Sequence, residues 1–207
     1  AKSIIEAEEK ERSRIAKDLH DGVGQMMSAA RMNLSAFSNT ISLHTKEEQQ
    51  SLSNIMQLVD DSCREVRAVS HSMMPQLLLK KGLPQATEEL LLKINPDVLK
   101  ISFHAEGFDQ RPDSNTETIL YRVIQECVNN TLKHARATKL DISMLKEEGN
   151  LSISFEDNGA GFNISESQKE NGMGLKNIYN RIRFLKGDVD IDSAPGKGTS
   201  IVIHVPV

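Results

Sequence analysis

From residue 1 to residue 74 the chain contains no proline, and its only glycines there are Gly22 and Gly24. Proline removes a hydrogen bond from a helix interior and clashes with the preceding turn, so a stretch this long without it is free to be helical throughout. After Pro75 the character changes. The first stretch holds six of the eight methionines and one aromatic, Phe37, whereas the rest holds ten of the twelve glycines and seven of the eight aromatics. A helix usually ends just before a proline, which puts a boundary at Met74-Pro75. Two domains are expected, residues 1–75 and 76–207.

Within the first stretch the apolar period is helical. Ile15, Leu19, Val23, Met26, Ala30, Leu34, Phe37 and Ile41 step by three or four. They fall within roughly 100° of arc, a single stripe. A second stripe runs Leu52, Ile55, Val59, Ser62, Val66, Val69, Met73, after a short polar connection from Ser42 to Lys46. Two long helices so joined should pack antiparallel. A hairpin alone would leave apolar seams bare, so a second copy completing a four-helix bundle is expected. The alternative is packing against the second half.

The second half alternates between periods. Leu83–Leu92, Thr116–His134 and Leu175–Leu185 read as helices, with Ile119, Leu120, Val123, Ile124, Cys127, Val128 and Leu132 as the apolar side of the middle one. Residues 100–105, 139–145, 150–156, 189–192 and 199–205 read as strands, with a hairpin turn at Glu148-Gly149. Helices mixed with largely antiparallel strands predict an α/β sandwich, its helices on one face of a sheet.

Composition excludes several classes. The net charge of -4 offers no basic footprint for direct nucleic-acid binding. No apolar run approaches the roughly 20 residues of a membrane span. The start, AKSIIEAEEKERSR, is too charged for a signal peptide. Cys63 and Cys127 stand far apart and make neither a zinc framework nor a disulfide scaffold, which suits a reducing cytoplasm.

Four segments carry candidate chemistry. Asp157-Asn-Gly159-Ala-Gly161-Phe162 follows a strand; a carboxylate there can accept from an exocyclic amine, and the glycines let a flat base approach the backbone. Asn171-Gly172-Met-Gly174 enters a helix, whose N-terminus offers N–H groups to phosphates. Asn163 to Glu170 before it is polar and could be a lid or a plain surface loop. Glu126 and Asn130 lie four apart, and their hard oxygens suit Mg²⁺; Lys133 and His134 follow them. The fourth is Asp18-Leu-His20-Asp21-Gly22-Val-Gly24-Gln25. His20 flanks the apolar stripe, and two mid-helix glycines each cost roughly 1 kcal/mol, which suggests that something bulky approaches there. Imidazole is a nucleophile at one nitrogen when the other holds its proton against an acceptor, and Asp21 could be that acceptor or a general base. Neighbouring helical residues do not face each other, so this contact needs a favourable rotamer. Gln25 shares a face with Asp21 and could position a water.

Each signal also has an ordinary structural reading, but their order does not. Glu11–Gln25, Tyr121–Ala135, Asp157–Phe162 and Gly172–Arg181 resemble, in turn, the histidine box, N-box, G1 box and G2 box of bacterial two-component sensor histidine kinases of the NarX/DesK type. The resemblance covers nearly the whole chain. It implies a helical hairpin forming a dimeric four-helix bundle, then a GHKL-type (Bergerat) ATP-binding α/β sandwich. It implies His20 as phosphoacceptor, Asp21 as its proton acceptor, and Asp21 with Gln25 as a phosphatase pair. It implies Asn130 at Mg²⁺, Glu126 as a catalytic residue near the ion or the attacking group, Lys133 and His134 toward the phosphates of ATP, and Asp157 on the adenine amine with Thr199 nearby. Gly159, Gly161, Gly172 and Gly174 would shape the pocket and lid. The implied partners are a second copy and a response regulator with a helix-turn-helix output domain. The implied setting is the cytoplasmic core of a membrane-anchored receptor whose sensor region is not in this sequence. The sequence departs from the pattern in a short lid and in lacking a separate F-box phenylalanine, a place that Phe162 or Phe184 would have to fill. The competing readings are a GHKL-type ATPase or protein-serine kinase, and a nucleotide-binding dimerisation scaffold without chemistry.

Overall fold

The computed structural model describes residues 2–73, 76–164 and 173–207. The expected boundary at Met74-Pro75, Gly172 and most of the polar segment from Asn163 to Glu170 lie outside these residues. The chain divides into two compact units, Ser3–Gln76 and Leu77–Val207.

The first unit is a helical hairpin. Helix α1 (Lys2–Asp18) continues through a wide π turn (Leu19–Gly24) into α2 (Gln25–Ser38), and α3 (Lys46–Met73) returns antiparallel to it. A capping box starts α3: Thr45 Oγ1 accepts from Glu48 N at 3.1 Å, and Glu48 Oε2 accepts from Thr45 N and His44 N. These backbone bonds hold the Glu48 carboxyl below its ordinary value. The arms meet over small residues. Ala16, Cys63 and Ser70 are buried, Ser70 Oγ donates to Ala16 O at 3.0 Å, and Arg31 pairs with Asp60.

This seam corrects the expected stripes. Small side chains let the helices approach along a face that includes Leu52, Val59, Cys63, Val66 and Ser70, so each apolar stripe is only partly used within the hairpin. Val23, Met26, Phe37, Ile55, Leu58 and Val69 remain exposed. Ile41 lies beyond the end of α2.

In the second unit a short helix α4 (Gln76–Lys81, its first residue belonging to the hairpin unit) and α5 (Leu83–Leu92) precede strand β1 (Lys100–Glu106). Helix α6 (Ser114–Asn130) runs into a second π turn (Thr131–Ala135), then come β2 (Lys139–Glu147), β3 (Asn150–Asp157), α7 (Met173–Phe184), β4 (Asp188–Ser193) and β5 (Thr199–Pro206). The sheet order is β1-β2-β3-β5-β4, antiparallel except for the β1–β2 pair. Alternation puts Leu140, Ile142, Met144, Leu151, Ile153, Phe155, Ile201, Ile203 and Val205 in one core with Leu120, Val123, Ile124 and Cys127 of α6 and Ile178 and Ile182 of α7. Leu132, expected on the apolar side of α6, is 41% exposed, while Thr131 before it is buried: at 100° per residue Thr131 and not Leu132 continues the face of Leu120, Ile124 and Cys127.

Two polar devices anchor this unit. Asp113 caps α6, accepting from Asn115 N at 3.0 Å and Thr116 N at 3.1 Å. The buried Glu117 takes Arg111 and the N–H of Leu83, and Arg111 also donates to Leu78 O and Leu79 O, tying the end of α4 to α6. No described helix is long and apolar enough to cross a membrane.

Candidate functional site

The histidine lies on the first π turn. His20 Nδ1 and Asp21 Oδ1 are 2.8 Å apart, with the two side chains 47% and 50% exposed. An α-helix advances 100° per residue and separates such neighbours. Here the chain winds as a wider turn closed by i→i+5 bonds, and on it the two side chains adopt the rotamers that bring them together. None of the turn's residues is buried. Gly22 has open space where a Cβ would stand, whereas a Cβ on Gly24 would lie 3.3 Å from Leu19 O. Ser28 Oγ donates to Gly24 O at 2.8 Å, just past the turn, and Gln25 begins α2, exposed.

The other candidates gather in the second unit, around a cavity of about 580 Å³. That volume is within the range of small-molecule sites. Glu126, Asn130, Lys133, His134, Asp157, Gly161, Gly174 and Thr199 all line it. The tips of Glu126 and Asn130 converge on Gly174, where a Cβ would stand 2.5 Å from Glu126 Oε1 and 3.4 Å from Asn130 Oδ1. Glycine there lets the first turn of α7 close on α6. Lys133 and His134 belong to the second π turn.

At the opposite side, Asp157 ends β3 and Thr199 starts β5, directly paired. Asp157 Oδ1 accepts from Gly159 N at 2.8 Å, which leaves Oδ2 for a ligand. Gly159 itself stands behind the cavity wall. A Cβ on it would lie 2.3 Å from Ala135 O, and one on Gly161 would lie 2.1 Å from Ala194 O. The close approaches expected from a ligand are therefore made by the protein's own backbone. Ala160 ties the second π turn to the turn between β4 and β5, donating to Ala135 O at 2.6 Å and accepting from Gly196 N. Asn158 pins the start of β2 through Thr138 N and Lys139 N, each at 2.9 Å.

Sequence reasoning gave no role to Asn129, Thr131, Leu175 and Ile201, which also line the cavity, and placed Cys127 only in the core. Burial pushes the Cys127 thiol up, so it acts as an apolar wall. Ile201 was legible as the inward alternate of β5 after Thr199. Phe162 lines the cavity and Phe184 is not among its lining residues.

Two family profiles match the sequence. Residues 11–78 match the family described as histidine kinase. Residues 115–207 match the family described as histidine kinase-, DNA gyrase B- and HSP90-like ATPase. Sensor protein VraS of Staphylococcus aureus is 33% identical over 207 residues, covering 100% of this chain and 57% of the relative. Sensor histidine kinase MctS of Rhizobium johnstonii is 29% identical, covering 98% of this chain and 44% of the relative. The chain thus spans about half the length of the curated relatives it matches. Among solved structures, the blue-light activated histidine kinase EL346 of Erythrobacter litoralis superposes with a TM-score of 0.56 at 18% identity, over 90% of this chain and 59% of that one. Its separate histidine kinase domain gives 0.53 over 86% and 95%. The fold is a helical region followed by a GHKL-type α/β sandwich.

Proposed function

The chain belongs to the histidine kinase family, and from that premise we propose that it phosphorylates its own His20 from ATP and passes the phosphoryl group to an aspartate of a response regulator. Residues 1–75 serve as the dimerisation and phosphotransfer hairpin and residues 76–207 as the ATP-binding domain.

The observation that carries this reading is the His20–Asp21 contact on an exposed turn. With the Nδ1 proton held against Asp21, Nε2 keeps its lone pair outward as the nucleophile. The N–P bond forms at Nε2 as the bond to the ADP oxygen breaks. The ring becomes cationic, and Asp21 takes up the Nδ1 proton. Catalysis in such transfers is mostly positioning and charge neutralisation.

The cavity suits the nucleotide by its donor set. Asp157 keeps one oxygen for the adenine amine, Lys133 and His134 supply cationic or donor groups toward phosphates, and Asn130 with Glu126 offers hard oxygens to Mg²⁺. Among the described residues no cluster of three or more His, Cys, Asp or Glu could hold a metal. The ion would share its coordination with phosphate oxygens, and it would neutralise their charge. Gly161 and Gly174 keep the walls close, Gly159 supports them, and Gly172 would continue the phosphate side.

The exposed apolar side chains Val23, Met26, Phe37, Ile55 and Leu58 of the hairpin support a second copy of this chain as partner. Gln25, exposed four residues after Asp21, would orient water for dephosphorylating the regulator, which carries a helix-turn-helix output domain in this reading. In this reading the activity belongs to the cytoplasmic side of a membrane-anchored sensor; the two relatives are themselves named as sensors. Incubation with labelled ATP and Mg²⁺ tests the proposal: acid-labile, alkali-stable label should appear and vanish in His20→Gln. Label that survives this substitution, or ATP turnover with no phosphoprotein, would overturn it.

A further inference from the structure

Asp157, Thr199 and Ser193 form one row across three neighbouring strands, because Thr199 is paired directly with Asp157 on one side and with Ser193 on the other. Directly opposed residues present their side chains on the same face. Asp157 and Thr199 line the cavity, and Ser193 stands behind Thr199, outside the lining.

The Ser193 hydroxyl is fully committed. Its oxygen lies 2.9 Å from Gly198 O, 3.0 Å from Phe162 N and 3.1 Å from Thr199 Oγ1. A serine hydroxyl has one proton and two lone pairs. Gly198 O can only accept, so the proton goes there, and Gly198 is buried, where an unpaired carbonyl is costly. Phe162 N–H can only donate and takes one lone pair. The other lone pair must then accept from Thr199. The Thr199 proton therefore points away from the cavity, and its oxygen faces the ligand as an acceptor.

We infer that Ser193 is a positioning residue for base selection: by holding the Thr199 proton it makes this end of the cavity, Asp157 and Thr199 together, a pair of acceptors that favours a base carrying an amino group over one carrying a carbonyl at the same place. This rests on the reading of the cavity as the nucleotide site. A free threonine hydroxyl would rotate to serve either group. A locked one sets its lone pairs against a carbonyl oxygen, and discrimination comes from that mismatch as much as from the favourable pairing.

Equilibrium binding of ATP and of inosine triphosphate tests this, since the second carries a carbonyl where ATP carries the amine. The unaltered chain should prefer ATP. Ser193→Ala should narrow that preference by roughly tenfold, the worth of one hydrogen bond, and Ser193→Thr, which keeps the hydroxyl, should restore it. A general loosening of the site would weaken both nucleotides alike, and an unchanged ratio in Ser193→Ala overturns the inference. If Ser193→Ala binds neither nucleotide, Thr199→Val decides. It should cost ATP more than inosine triphosphate; an equal or opposite effect overturns the inference. Failure of the unaltered chain to bind ATP removes the nucleotide reading itself and this inference with it.

Discussion

The chain makes the same departure from the α-helix twice, at Leu19–Gly24 and at Thr131–Ala135, and puts candidate chemistry on both turns. Their surroundings differ. The first buries none of its residues and passes directly into another helix. The second starts at the buried Thr131 and ends in the left-handed Arg136, and its last carbonyl, Ala135 O, is held by Ala160 N. Wide turns recur at functional places because they re-aim successive side chains without breaking the helix. The exposed one carries His20 and Asp21, in contact, where another molecule can reach them. The pinned one builds a wall.

The comparison can be broken by two glycine-to-alanine changes, one against the pinned turn and one within the exposed turn. Gly159→Ala would set a Cβ 2.3 Å from the end of the pinned turn. Overpacking of this kind costs about 1–3 kcal/mol, and ATP binding should fall by about five- to 140-fold, since each 1.4 kcal/mol is a decade. Gly22→Ala meets nothing within 4 Å. It should leave ATP binding unchanged and add up to about 1 kcal/mol to the stability of the hairpin in urea unfolding. Equal losses in the two variants would show that the turns are not differently held.

Gly24→Ala sharpens the contrast within the exposed turn. Its Cβ crowds Leu19 O at 3.3 Å, a carbonyl that belongs to the wide turn, while alanine favours the α-helix. The turn should rewind and draw Asp21 away from His20. Phosphorylation of His20 should slow by roughly tenfold, part of what a positioned proton acceptor supplies, with ATP affinity intact. Nitrogen NMR of the His20 ring should show Nδ1 losing its fixed proton; an unchanged ring spectrum would separate the contact from the turn.

The smallest effect concerns the helix that leads into the pinned turn. The hydroxyl of Thr116, with the N–H groups at the start of α6, holds the Asp113 carboxyl below its ordinary value of 3.8. A lowered folded pKa means that this contribution to stability is complete above the ordinary value and is lost as pH falls below it toward the folded one. Asp113→Ala should cost about 1 kcal/mol at neutral pH. Asp113→Asn should keep most of the cap and flatten the acid dependence of unfolding; an unaltered dependence would remove Asp113 as its source.

Much of the fold was legible because periodicity is a local property. Leu83–Leu92 is the helix expected there, and every expected strand lies within an observed one. Leu132 shows the limit. It was added to the apolar side of α6 although a period of 3.6 gives that place to Thr131; that the helix widens there at all is seen only in the structure, where Ala135 packs against Gly159 and Ala160. Gly22 and Gly24 were the sole written sign of the other wide turn. Among the candidate residues, Glu126, Asn130, Asp157 and Thr199 were chosen separately along the chain and line one cavity. Gly159 was chosen for a reason that the structure replaces: backbone crowds it.

The amino-acid order alone determined the helical hairpin, the alternating strands and the identity of the reactive groups, since each depends on side chains a few residues apart. Tertiary structure decided what those groups can do. Where a proton sits on Thr199 depends on Ser193 and Gly198, and which oxygen of Asp157 is free depends on Gly159 N. A hydrogen-bond direction is settled only when every neighbour's donors and acceptors have been brought within 3 Å or so, and chain folding alone does that.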